Sequence, residues 1–111
     1  MPVQVIVSQP GPLPITVNFK AVSDAPIYLE LNGSVWTQSA NQMIGIQVAI
    51  DGGPIGKALI FSNAASTHRT VVPIFIPLQL QFGQHSVTLS ALPNSTTVSD
   101  QNDYYTVVLH Y

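Results

Sequence analysis

Hydrophobic and polar positions alternate along much of this chain with a period of two. Ile44, Ile46, Val48 and Ile50 share one face of a segment whose other face carries Gly45, Gln47 and Ala49, the pattern of a strand with one side in a core. Val87, Leu89 and Ala91 alternate with Ser86, Thr88 and Ser90 in the same way. The closing segment differs. There Tyr105, Val107, Leu109 and Tyr111 oppose Tyr104, Thr106, Val108 and His110, so both faces are largely apolar, which predicts a strand central in its sheet and covered on both sides. No segment carries a helical period of useful length.

Turn residues divide these runs at the short intervals of an antiparallel sandwich. Asp51-Gly52-Gly53-Pro54 is the strongest hairpin signal, because glycine and aspartate tolerate the positive φ that tight hairpins need. Asn32-Gly33 is a second possible turn; equally, 28–36 is one long strand with a bulge at the glycine. Further breaks fall at 10–14, 23–26, 62–66, 83–84 and 93–102. Eight or nine strands follow, over 3–8, 15–20, 27–31, 34–37, 42–50, 55–61, 69–82 with proline interruptions, 85–92 and 103–111. The prolines near the start read as an arm feeding the first strand. The 111 residues form a single all-β domain.

Composition changes the picture in one respect. Charged residues make up 7% of the chain, against about 25% in an ordinary soluble domain. Ser, Thr, Asn and Gln supply 33 of the 111 residues instead, so the surface rests on hydroxyls and amides. Three cations against five acids cannot neutralise a run of phosphates, which excludes sequence-independent nucleic-acid binding. Attachment to anionic lipid fails for the same reason. The longest uncharged stretches are broken by prolines and amides, so membrane insertion is not expected. The first eleven residues lack the basic and apolar regions of a signal peptide, and the chain is expected to be a mature soluble protein or a fragment of one. Without cysteine there is no disulfide framework, thiolate metal site or cysteine nucleophile. Few charges also leave few lysines to guard exposed strand edges, which predicts that partner subunits cover part of the surface.

The run from Ile44 through Asp51-Gly52-Gly53, the segment Ser62-Asn63-Ala64-Ala65-Ser66-Thr67-His68-Arg69, then Gly83-Gln84-His85-Ser86-Val87-Thr88-Leu89 and Asp100-Gln101-Asn102-Asp103-Tyr104-Tyr105 together resemble small β-sandwich modules of phage-tail and bacterial proteins. In strand order and aromatic-rich last strand the chain is also similar to the tumour-necrosis-factor and complement globular-head domains. The resemblance covers 26–111. It implies an antiparallel β-sandwich of jelly-roll type, assembly as a homotrimer, and binding of glycans or receptors without catalysis. No collagen-like or coiled-coil stalk is present, so trimerisation would fall to the head alone.

Three constellations carry candidate chemistry. Asp100, Asn102 and Asp103 place oxygen donors within four residues, as a calcium ion requires; Asp and Asn also favour such loops by bonding nearby backbone amides. His68 and Arg69, after the polar loop 62–67, offer donors to a sugar hydroxyl or carboxylate, with Asn63 and Ser66 adding amide and hydroxyl contacts; alternatively Arg69 pairs with an acid across a subunit boundary. Trp36, beside the polar run 37–41, suits stacking on a sugar ring, whereas Tyr105 and Tyr111 suit a core or subunit interface. His68, His85 and His110 show no metal-ligand spacing, and no nucleophile-elbow context surrounds any serine, so an enzyme is not expected.

Two function classes remain. The first is a non-catalytic recognition or adhesion module, a homotrimer binding a neutral carbohydrate through Trp36, Asn63, Ser66, His68 and Arg69. The second is a structural assembly subunit of a phage tail, virion or secreted layer without a small ligand. Either places the protein outside the cell or on a virion.

Overall fold

Burying the apolar side of each alternating segment produces two facing sheets. A computed structural model describes residues 2–111, and within them ten strands and no helix. They are β1 (Val3–Pro10), β2 (Ile15–Ala21), β3 (Ile27–Thr37), β4 (Gln42–Ile50), β5 (Gly53–Ser62), β6 (Arg69–Thr70), β7 (Ile74–Leu78), β8 (Gly83–Ala91), β9 (Thr97–Val98) and β10 (Tyr104–His110). Every pairing is antiparallel. One sheet runs β1-β10-β3-β6, with β7 and β9 also paired to β3; the other runs β2-β8-β4-β5. Leu29, Leu31, Val35, Val107 and Leu109 of the first meet Ile44, Ile46, Val48, Val87 and Leu89 of the second, all fully buried. This is the all-β sandwich expected, with ten strands rather than eight or nine.

The extra strands are short pairings that periodicity cannot register, since two residues hold no period. The region expected as one interrupted strand over 69–82 is β6 and β7, separated around Pro73, which has no N–H to donate to a ladder. The β4–β5 hairpin turns at Asp51-Gly52, both at positive φ. Asn32-Gly33 is neither turn nor bulge: β3 passes straight through it in continuous register with β10. The glycine is there for another reason. A Cβ on Gly33 would lie 2.5 Å from the ring of Tyr105, its cross-strand partner, so only glycine lets that buried ring lie over β3.

β10 is central, between β1 and β3, as its pattern implies. Its coverage is one-sided, however. Tyr105, Val107 and Leu109 are buried, whereas Tyr104 is exposed and Thr106, Val108 and His110 are half-buried on the outer face. Two apolar faces reflected central position here, and not burial on both sides within the chain. Among the described residues no helix is long and apolar enough to cross a membrane.

Candidate functional site

The outward side chains of β3 are its even positions, so Asn32, Ser34 and Trp36 line one face. Two loops close over the end of that face. The segment after β5 folds back with the Ser66 N–H donating to the Thr37 carbonyl at 2.7 Å, Ser66 taking a positive φ to make the turn. This carries His68 against Trp36, with ring centroids 5.8 Å apart. The loop before β10 is closed on itself: the Asn102 N–H donates to Asp100 Oδ1 at 2.8 Å and the Asp103 N–H to the Asp100 carbonyl at 3.1 Å.

Asp103 joins these pieces. It is fully buried, and burying a carboxylate is tolerable only when its oxygens are paired. Ser34 Oγ donates to Asp103 Oδ1 at 2.7 Å, and the Asp100 N–H donates to Oδ2 at 2.9 Å. His68 Nδ1 lies 2.6 Å from Oδ1. A carboxylate oxygen accepts, so Nδ1 carries the hydrogen and Nε2 is left 3.8 Å from Asp100 Oδ2, beyond hydrogen-bond reach. The Asp103 bond raises the His68 pKa above its ordinary value, against the smaller opposing effect of burial.

Beside this cluster lies a groove of about 250 Å³ lined by Asn32, Gly33, Ser34, Thr70, Tyr104 and Thr106. Ser34 belongs to both. Arg69 turns to the other side, its Nη2 donating to Asn63 Oδ1 at 2.9 Å. Its guanidinium therefore holds a neutral amide within the chain. Three buried polar side-chain atoms have no hydrogen-bond partner among the described residues: Trp36 Nε1, Arg69 Nε and the Tyr105 hydroxyl. Tyr105 lies beneath the 99–103 loop, where burial pushes its pKa up against the smaller opposing effect of the Ser99 hydroxyl; Ser99 Oγ accepts the Leu13 N–H at 2.8 Å and keeps its own hydrogen to donate.

The two sets of residues singled out in the sequence, one for sugar and one for metal, thus share a single place. His68, Asp100 and Asp103 offer donor atoms within 4.8 Å of one another, while Asn102 exposes its side chain. As a calcium site the arrangement falls short. Calcium takes six to eight oxygens; here both Asp103 oxygens are already hydrogen-bonded and the third donor is an imidazole nitrogen, a ligand calcium does not favour. The three histidines do not converge: His68 pairs with Asp103, His85 with Asp51 and His110 with Glu30. Sequence reasoning missed Ser34, Asn32, Thr70 and Thr106. Period two along β3 would have placed Ser34 and Asn32 beside Trp36, but Thr70 and Thr106 reach the groove only through strand register.

No family model matches the sequence, and no characterised protein matches it by sequence. By structure, the chain is similar to a family 35 carbohydrate-binding module from Clostridium thermocellum, at 10% identity and a TM-score of 0.50, over 96% of this chain and 90% of that one. An exo-β-1,3-galactanase from Phanerochaete chrysosporium aligns with 87% of this chain at 17% identity and a TM-score of 0.49. The present chain covers 21% of that protein, so it corresponds to about a fifth of the enzyme's length. A family 36 carbohydrate-binding module in complex with calcium and xylotriose aligns at 13% identity and a TM-score of 0.44, over 99% of this chain and 87% of that one. At these identities the likeness is one of fold: a β-sandwich shared with a carbohydrate-binding module.

Proposed function

We propose that the protein is a non-catalytic carbohydrate-recognition module that binds a neutral glycan where Trp36 and His68 meet the groove of Ser34 and Tyr104, with Asn63, Ser66 and Arg69 on the neighbouring loop. The observation that carries this reading is a groove whose polar groups, on Asn32, Ser34, Thr70, Tyr104 and Thr106, are all neutral, on the face of β3 that also carries Trp36 packed against His68. Trp36 and His68 present rings, His68 Nε2 and Ser66 present polar atoms, and Asn63 orients Arg69. Neutral amides and hydroxyls in the groove suit an uncharged polyhydroxyl ligand better than a phosphate. The fold shared with a carbohydrate-binding module agrees with this. Asp103 and His68 form an acid–imidazole pair that fixes the orientation of the ring.

A glycan array at high protein concentration is the test. Retention of a neutral sugar that disappears in Trp36→Ala is expected; retention of none would remove the reading. Calcium forms no part of it, and the melting temperature is expected to be the same with and without chelator.

The homotrimer belongs to the same proposal, as does a place outside the cell or on a virion. A separate surface supports assembly: the exposed side chains of Met43, Phe61 and Val72, with Leu59 and Lys57, line a largely apolar groove of about 380 Å³ beside β5, and exposed apolar groups of this kind favour contact with another chain. Light scattering distinguishes the readings, since polymerisation that grows with concentration would favour a structural subunit over a discrete trimer.

A further inference from the structure

The outward row of β3 does not stop at Ser34. It continues through Glu30 to Tyr28, and strand register sets the neighbours of each. Asn32 lies opposite Thr106, Glu30 opposite Val108 and Phe75, and Tyr28 opposite His110 and Pro77. Tyr28 and Phe75 are 54% and 57% exposed, so a second pair of rings stands at the far end of this face from Trp36. Between the two ends, eight residues of strand span about 26 Å. The one acid on this row, Glu30, lies 2.8 Å from His110 Nε2, and His110 packs against Phe75 with ring centroids 5.6 Å apart. Its charge is therefore engaged within the chain. The face has rings at both ends, and between them a groove holding the exposed Tyr104 ring and the neutral hydrogen-bonding groups of Asn32, Ser34, Thr70 and Thr106.

We propose that this whole face is one binding track and that its ligand is an internal stretch of a neutral polysaccharide, several sugar rings long, rather than a single sugar or a chain end. The proposal rests on the glycan reading above and names its substrate class. Rings recur along this row, Trp36 with His68 at one end, Tyr104 at the groove and Tyr28 with Phe75 at the other, with neutral hydrogen-bonding groups between them. A polysaccharide matches that order, since its hydroxyls project along the chain while its rings offer apolar faces at intervals for stacking. One sugar could touch only one end of a row this long.

The test is calorimetric titration with xylose-, glucose- and galactose-based ladders, from monosaccharide to hexasaccharide, alongside the corresponding polymers. Affinity should rise at least about tenfold from disaccharide to hexasaccharide. The double variant Tyr28→Ala/Phe75→Ala should lower hexasaccharide affinity by about tenfold and flatten the dependence on length. Thr88→Ala, on the opposite sheet, serves as control and should change nothing. Both altered rings are exposed, and an unchanged melting temperature confirms that the double variant folds. Equal affinity for monosaccharide and hexasaccharide, or a double variant that binds hexasaccharide like the parent, would overturn the track while leaving the glycan reading standing. Failure of every sugar and polymer to bind would overturn both.

Discussion

Two histidine–aspartate contacts of the same 2.6 Å length stand in different parts of this molecule and do different work. His85 ties the start of β8 to the β4–β5 turn: Nδ1 meets Asp51 Oδ2 and Nε2 meets the Gln81 carbonyl at 2.7 Å. Its acid is the exposed member, and Asp51 also receives the Ser86 N–H at 2.9 Å. In the pair at the candidate site the acid is buried completely, the imidazole is 39% exposed, and one ring nitrogen is unpaired. Pair distance therefore says little about role. What separates them is which partner is buried and whether the imidazole has a nitrogen to spare: with none, the ring is a strut; with one, it is a presented surface.

The largest expected effect breaks this contrast from the side of the acids. Asp103→Ala would strand three donors, the Ser34 hydroxyl, His68 Nδ1 and the Asp100 N–H, and should cost about 3 kcal/mol. In a domain of this size that lowers the melting temperature by roughly 15 °C. Asp51→Asn keeps a residue that accepts positive φ and should cost about 1 kcal/mol or less. Thermal unfolding of the two variants side by side checks the ordering; equal losses would mean that the burial of Asp103 does not matter. For the imidazoles the same order holds in function: His68→Ala should weaken glycan retention about tenfold, and His85→Ala should leave it unchanged, as read by affinity electrophoresis.

The contrast also shows where a sequence stops being readable. Period two located β4, β8 and β10 because each buries a row of large side chains on one face. The Asp51-Gly52 hairpin was visible because its backbone needs residues that accept positive φ. Gly33 was misleading for a physical reason: glycine serves turns, bulges and close packing alike, and only the Tyr105 ring opposite shows which applies. Within the candidate site, Trp36, His68 and Asp103 were each visible as residue types, yet no local pattern joined them. His68 and Asp103 are 35 residues apart, and their meeting depends on how β3 and β10 pair and on the fold-back at Ser66. Strands are local in cause, whereas a site assembled from loop ends depends on tertiary register.

The smallest effect, and the sharpest, concerns pH. Both imidazoles have raised pKa values, each first because of the bond to its acid. Each therefore binds its proton more tightly folded than unfolded, so the stability it contributes is complete below about pH 6.5, the ordinary histidine value, and declines as pH rises through the folded pKa. The two should decline unequally. Neutral His68 keeps its hydrogen on Nδ1 and retains the Asp103 bond, losing only attraction to the acids. Neutral His85 cannot serve both of its contacts, because Asp51 and the Gln81 carbonyl both accept and a neutral ring has one N–H. On the acid side, His85 first and the Ser86 N–H second lower the Asp51 pKa, so that contribution is present above its ordinary 3.8 and fades as pH falls through the folded value. The His85–Asp51 strut is thus strongest between about pH 4 and 6.5. Chemical unfolding from pH 5 to 9 should show stability falling with pH in the parent and a flatter profile in both His68→Gln and His85→Gln, with the larger change in His85→Gln. A profile flattened only by His68→Gln would mean that the spare nitrogen, rather than the fully bonded ring, carries the proton that folding holds.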